Sequence, residues 1–308
     1  MRILKYVVLL VVVAIMASCG TSKYATNAQY PTMDSSIHYE GVLEECMYDC
    51  SVKGPRQRRM YVYLPKDYHQ TTHCYPVMYL FHGARGNELS WIEKGNLLHN
   101  IDSLLAVGAM KETIVVLPNM NQYNDERDYG KSRLKGAMEA FYEVDGMVEY
   151  AFVKDVVATI DSIYRTIPDK EHRAIAGISI GAMQAMHISA NAPETFGYVG
   201  VFSSMVHPVL RKSECSAFYK KLKKKLAAQF ITPPMRYELM IGKTDFASPP
   251  ELYSIMIGKS DFYYPRMLVF SNYLKRKGYE HELILTRGGH QWFNWEDFAN
   301  RFMQQLWW

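Results

Sequence analysis

Short, almost wholly apolar runs alternate with amphipathic stretches along most of this chain. Tyr75 to Gly83 (YPVMYLFHG), Thr113 to Pro118 (TIVVLP) and Arg173 to Ile178 (RAIAGI) have the apolar density of buried strands, and Tyr198 to Ser203 (YVGVFS) and Glu282 to Thr286 (ELILT) read as further strands. Between and after them, Trp91 to Val107, Val148 to Tyr164, the Ala/Met/Gln-rich stretch from Ala182 onward, Met267 to Lys277 and Trp295 to Trp308 predict helices. Upstream, His38 to Val52 and Arg58 to Leu64 are strand-like runs joined by Lys53-Gly54-Pro55-Arg56, a connection that makes them antiparallel neighbours at one end of a sheet. This alternation predicts an α/β fold with a mostly parallel central sheet, right-handed crossovers, helices on both faces and an antiparallel N-terminal end.

Two stretches break the rhythm. Val206 to Phe230 reads as a less regular insertion, whose Lys220 to Lys225 (KKLKKK) is the one basic cluster of the chain. After it, residues 233–246 (PPMRYELMIGKTDF) are echoed sixteen residues later by 249–262 (PPELYSIMIGKSDF), which reads as a tandem duplication of one strand-plus-loop unit.

The first residues carry a different pattern. Met1 to Ser18 has a basic start at Arg2 and Lys5, an apolar run from Tyr6 to Met16, and then Ala17-Ser18-Cys19-Gly20. That run is too short for a mature transmembrane helix and reads as a secretory signal. Small residues directly before a cysteine resemble a bacterial lipobox, with Cys19 as the lipidated first residue of the mature chain, held to the membrane by more than one hydrocarbon chain. Polar, aperiodic residues follow, so residues 19–37 are expected to be a flexible tether and residues 38–308 a single α/β domain, carried on the periplasmic side of the cell envelope. At 48% hydrophobic and 21% charged, the chain can bury a large core. Its net charge of +4 over 308 residues is small and not laid down in a stripe, which argues against nucleic acid as a partner. Besides Cys19 there are Cys46, Cys50, Cys74 and Cys215, too scattered for a zinc knuckle apart from the first pair; no metal or other cofactor is expected, and in an exported protein one disulfide is open.

The candidate chemistry gathers where the apolar runs end. Gly177-Ile178-Ser179-Ile180-Gly181 fits G-x-S-x-G between a strand and a helix, the context in which a sharp turn lifts a serine hydroxyl above the sheet's C-terminal edge. Ser179 is therefore the candidate nucleophile. An acyl-transfer enzyme of this kind needs a base for the serine proton, an acid to hold that base, and backbone donors for the oxyanion. His290 follows the last strand behind Gly288 and Gly289, which let the loop swing its ring over the serine. The duplication leaves the acid open between Asp245 and Asp261; Asp261 is favoured because the helix and strand leading to His290 follow it directly. The Ile180 N–H and, from the loop after His82-Gly83, the Ala84 N–H are the expected oxyanion donors, with His82 read as structural. Trp91, Tyr123 and Trp292, with Tyr129, suggest an aromatic wall, and Asn119 and Gln291 amide contacts, for a planar acyl ring or a sugar.

With these residues placed, the chain resembles the "Putative esterase" family of α/β-hydrolases, which embraces esterase D-like enzymes, carbohydrate esterase family one, enterochelin esterase-like proteins and mycolyltransferases. The stretches that carry the resemblance are RRMYVYLPKDY, YPVMYLFHGARGNELSW, TIVVLPN, AIAGISIGAMQA, FGYVGVFSS, IGKSDFYYP and GGHQWFNW, spread over roughly residues 38–308. The resemblance implies an α/β-hydrolase fold and the triad Ser179, Asp261 and His290. Ala182-Met183 stand after the elbow where the family usually has a second glycine, which narrows the pocket floor. The family does not fix the substrate, because one scaffold serves many esters; the expectation adopted is a serine ester hydrolase acting on acyl or feruloyl esters of plant cell-wall carbohydrate. The alternatives are a siderophore-ester or thioester hydrolase and, in another class, a catalytically silent glycan-binding lipoprotein.

Overall fold

The structure, a computed structural model, describes residues 36–51, 57–84, 86–120, 151–204 and 248–307. Among the described residues eight strands form one sheet: β1 (Val42–Asp49), β2 (Gln57–Leu64), β3 (Val77–Phe81), β4 (Ile114–Pro118), β5 (Arg173–Ile178), β6 (Tyr198–Phe202), β7 (Leu252–Gly258) and β8 (Glu282–Thr286). They lie in the order β1-β2-β4-β3-β5-β6-β7-β8. Only β2 runs against the others, pairing antiparallel with β1 and β4, and every remaining pair is parallel. This is the mostly parallel sheet with an antiparallel N-terminal end that the hydrophobic pattern predicts.

The period of two along each strand explains how one sheet holds two cores. Val77, Tyr79 and Phe81 of β3 face one layer, with Ile180 and Met183 of α4 (Ile180–Asn191) and Met267 and Phe270 of α5 (Tyr264–Arg276). Met78 and Leu80 face the other, with Leu98 and Ile101 of α2 (Leu97–Ala106) and Trp295, Phe298 and Phe302 of α6 (Trp292–Met303). The remaining helices are α1 (Ser90–Gly95) and α3 (Ala158–Ile163), the latter entered through a π-helical turn at Val153–Val157.

Several boundaries differ from the periodic pattern, each for a local reason. The single helix expected over Trp91–Val107 is two, because Asn96 takes a left-handed conformation (φ 47°) that ends α1. Asparagine tolerates that region, and its side-chain amide is held by Glu296 of α6. The helix expected from Met267 begins three residues earlier, with Pro265 seated in its first turn where a missing N–H costs nothing. The last helix begins at Trp292 rather than Trp295 and stops at Met303, since Gln291 is still extended and Trp292 is the first residue able to turn. Residues 233–247, including the first copy of the duplicated unit, lie outside the described residues; the second copy supplies β7 and the loop after it. Among the described residues, Cys46, Cys50 and Cys74 form no disulfide with one another. A Cys46–Cys50 bridge is ruled out by the extended chain between them, which separates residues four apart by about 13 Å, twice the reach of a disulfide.

Candidate active site

The C-terminal ends of the parallel strands are level with one another. Ile178 pairs with Phe202, Phe202 with Met256, and Gly258 with Thr286, so the loops after β5, β7 and β8 open onto the same edge. Ser179 stands at the first of these. Its backbone is forced to φ 55°, ψ −114°, a strained turn between strand and helix. The flanking glycines make it possible: a Cβ on Gly177 would lie 2.6 Å from the carbonyl carbon of Gly181, and one on Gly181 would collide with the carbonyl oxygen of His82. The strain is braced by the Ser179 N–H donating to Phe202 O at 2.9 Å.

Opposite the serine, His290 Nε2 lies 3.1 Å from Ser179 Oγ, and His290 Nδ1 lies 2.9 Å from Asp261 Oδ2. A carboxylate only accepts, so Nδ1 carries the proton and Nε2 is left as the acceptor for the serine hydroxyl. The other oxygen of Asp261 accepts the Tyr263 N–H at 2.8 Å, which fixes the carboxylate plane. All three side chains are buried. Of the two candidate acids, Asp261 is the one seen hydrogen-bonded to His290; Asp245 lies outside the described residues.

Among the described residues three rings pack on the imidazole: Phe262 with its centroid at 4.5 Å, Trp295 at 4.8 Å and Tyr263 at 5.3 Å. Nothing in their spacing marks them as neighbours of His290, although Phe262-Tyr263 follow Asp261 directly. They leave the ring little room to rotate away from Asp261 and Ser179.

The loop after β3 supplies the far wall. Ile180 is the first residue of α4, so its N–H has no carbonyl four residues back to bond, and the helix N-terminus carries a partial positive charge. Ala84, partly buried, sits on the loop whose His82 carbonyl packs on Gly181. That loop is stapled to its surroundings. The Met120 N–H donates to His82 Nε2 at 3.0 Å, so the ring's proton must be on Nδ1, where it donates to Gly83 O at 2.8 Å. Glu88, 1% exposed, accepts from Arg59 Nε at 2.6 Å and from Asn119 Nδ2 at 2.8 Å. Burial pushes the Glu88 carboxyl up, opposed by the charge of Arg59 and the hydrogen bonds from Arg59 and Asn119.

Two of the residues expected to line a ligand are committed elsewhere. Trp91 is 1% exposed and donates its indole N–H to Phe81 O at 3.0 Å, so it belongs to the core beneath the loop rather than to a wall. Asn119 is spent on Glu88. Trp292 is half-buried, edge-on to Trp91 and Trp295, and Gln291 is exposed beside His290. Tyr123 and Tyr129 lie outside the described residues.

Burial pushes His82 down to about 4, and His187 likewise to about 4. Folding thus favours the neutral rings. Their stabilisation is whole above the unfolded value of about 6.5 and is lost as pH falls toward 4. Urea unfolding between pH 7.5 and 4.5 is expected to show stability declining by up to about 1.4 kcal/mol per pH unit for each histidine. His82→Gln, which can still accept and donate, is expected to remove one proton's share of that slope. An unchanged slope in the variant would contradict the neutral, buried His82.

Comparison with known proteins bears on this arrangement. Residues 51–306 match the family model described as "Putative esterase". An endo-1,4-beta-xylanase/feruloyl esterase of Xylanibacter ruminicola is 35% identical over 195 residues, which are 60% of this chain but 25% of that protein, so the match spans only a quarter of its length. Among solved structures, a CE1 ferulic acid esterase of Anaeromyces mucronatus in complex with ferulic acid superposes with a TM-score of 0.62 at 21% identity, covering 93% of this chain and 98% of that one. An S-formylglutathione hydrolase of Staphylococcus aureus superposes with a TM-score of 0.58 at 18% identity, covering 86% and 96%. At these identities the structural likenesses speak to the fold.

Proposed function

The chain belongs to the Putative esterase family, and from that membership we propose that it is a serine ester hydrolase acting on feruloyl or related acyl esters of plant cell-wall carbohydrate. The observation that carries the reading is the hydrogen-bonded line from Ser179 through His290 to Asp261, set on a strained turn at the edge where the parallel strands end. In this mechanism Ser179 Oγ attacks the ester carbonyl while its proton passes to His290 Nε2. The tetrahedral oxyanion is held by the Ile180 and Ala84 N–H groups. As it collapses, the C–O bond to the alcohol breaks and His290 returns the proton to the departing oxygen. Water then attacks the acyl-enzyme with His290 again as base, releasing the acid and regenerating the serine.

The feruloyl preference is supported by what the Xylanibacter relative is named for and by the ferulic acid bound to the Anaeromyces enzyme. A panel of methyl ferulate, feruloylated and acetylated xylo-oligosaccharides, S-formylglutathione and a long-chain p-nitrophenyl ester tests it. The expected ranking by kcat/KM puts the feruloyl esters first, with an attached sugar raising kcat as well as lowering KM, because binding energy remote from the carbonyl is used in the transition state. Best turnover of the thioester or of the long-chain ester would sink the carbohydrate reading and leave the serine hydrolase in place. No covalent labelling by a fluorophosphonate would favour a silent binder instead.

We also propose that the mature chain begins at an acylated Cys19 and is carried on the periplasmic face of the envelope. The support is the sequence of residues 1–20, which lie outside the described residues. Among the described residues no helix is long and apolar enough to cross a membrane. Cys19→Ser is expected to abolish metabolic labelling by a fatty-acid analogue and to release the protein from membranes; labelling of the variant equal to wild type would end this reading.

A further inference from the structure

The acid and the base sit on separate loops, after β7 and after β8, and their 2.9 Å contact requires those loops to be held in register. The backbone makes the first connections: Lys259 N–H donates to Thr286 O at 2.9 Å and Ser260 N–H to Gly288 O at 2.9 Å. The loops approach so closely that a Cβ on Gly258 would collide with the carbonyl oxygen of Gly288 and lie 2.6 Å from Asn294 Nδ2. Gly288 itself is at φ 97°, a conformation that side-chain-bearing residues rarely take, and a Cβ there would lie 2.7 Å from the same amide nitrogen. Asn294, 2% exposed in the first turn of α6, reaches into this seat and donates Nδ2–H to Gly289 O at 2.7 Å, the carbonyl of the peptide that enters His290. Its own N–H donates to Gln291 O at 3.1 Å, the carbonyl one residue past His290. Asn294 thus holds the base loop on both sides of the imidazole, before it through the side-chain amide and after it through the backbone N–H, against a floor kept open by Gly258 on the acid's strand.

We propose that Asn294 is a positioning residue that sets His290 against Asp261 and Ser179, with Gly258 and Gly288 as the cleared seat that lets its amide reach the loop. The inference rests on the triad reading above. A ring displaced by a fraction of an ångström loses the alignment on which proton transfer depends, while ground-state binding of the ester is untouched.

The test is a double-mutant cycle on full-length protein, using an activated feruloyl or acetyl aryl ester. Asn294→Ala removes the grip, and Asn294→Asp removes the donor while keeping the shape and suiting a helix N-terminus. Each is expected to lower kcat by about 10- to 100-fold with KM changed less than about twofold and the thermal midpoint still well above the assay temperature. In an Asp261→Asn background, where the orientation is already lost, the same Asn294 changes are expected to cost less than about threefold. If kcat falls equally in both backgrounds, or stays within about twofold of wild type while Ser179→Ala abolishes turnover, then Asn294 does not act through the pair and the inference is overturned. Retention of most turnover in Ser179→Ala would overturn the triad on which it rests.

Discussion

Ser179→Ala is expected to lower kcat by a factor on the order of 10⁴ or more, with a thermal midpoint close to that of the parent. The hydroxyl is the atom that would bond to the substrate carbon, and its oxygen lies 3.1 Å from His290 Nε2. The chain is otherwise unchanged, because the strained backbone at φ 55° is imposed by β5, α4 and the close approach of Gly177 and Gly181, not by the hydroxyl. A few thousandfold of catalysis over water is expected to remain from the oxyanion donors and binding alone. Steady-state kinetics on methyl ferulate, with mass-spectrometric detection of an acyl adduct on wild type and its absence on the variant, checks both halves. Retention of most turnover would remove Ser179 from the mechanism.

Asp261→Asn is expected to cost about 10²–10⁴ in kcat. The carboxylate accepts the Nδ1 proton of His290 and the N–H of Tyr263. An amide in its place keeps the Tyr263 bond through its oxygen and then turns its NH₂ toward His290, which favours the imidazole tautomer with the proton on Nε2, pointing at the serine it should deprotonate. It also removes the negative charge that offsets the imidazolium formed during attack. The side chain is fully buried, so water does not replace what is lost. Asp245→Asn is expected to change activity less than about threefold, since the seat beside His290 is already filled. Kinetics on the two variants side by side decide it; the reverse ranking would mean that the arrangement in solution seats the other copy of the duplicated unit.

Much of this was legible in order along the chain because the relevant physics is local. Apolar runs such as Thr113 to Pro118 and Arg173 to Ile178 mark buried strands by composition alone, and Gly-x-Ser-x-Gly between a strand and a helix marks a turn that other residues cannot make. The candidate base was legible for the same reason: a histidine behind two glycines, directly after the last strand. Boundaries were read less well where one residue's backbone choice overrode periodicity, as at Asn96, which splits a continuous amphipathic pattern into α1 and α2.

What the sequence by itself determined was the kind of fold, the turn that carries Ser179 and the short choice of partners for it, since each follows from residues adjacent in the chain. Only the tertiary structure decided which side chains are spent on one another. Trp91 and Asn119 carry the chemistry of ligand contacts, yet the fold closes Trp91 over Phe81 O and pairs Asn119 with a buried Glu88 that is itself held by Arg59 on a distant strand. The rings around His290 and the Asn294 grip escaped notice for the same reason. Burial and hydrogen-bond pairing are properties of groups brought together from β2, β4, β7 and α6, and neighbours in space across a sheet leave no periodic trace in the order of residues.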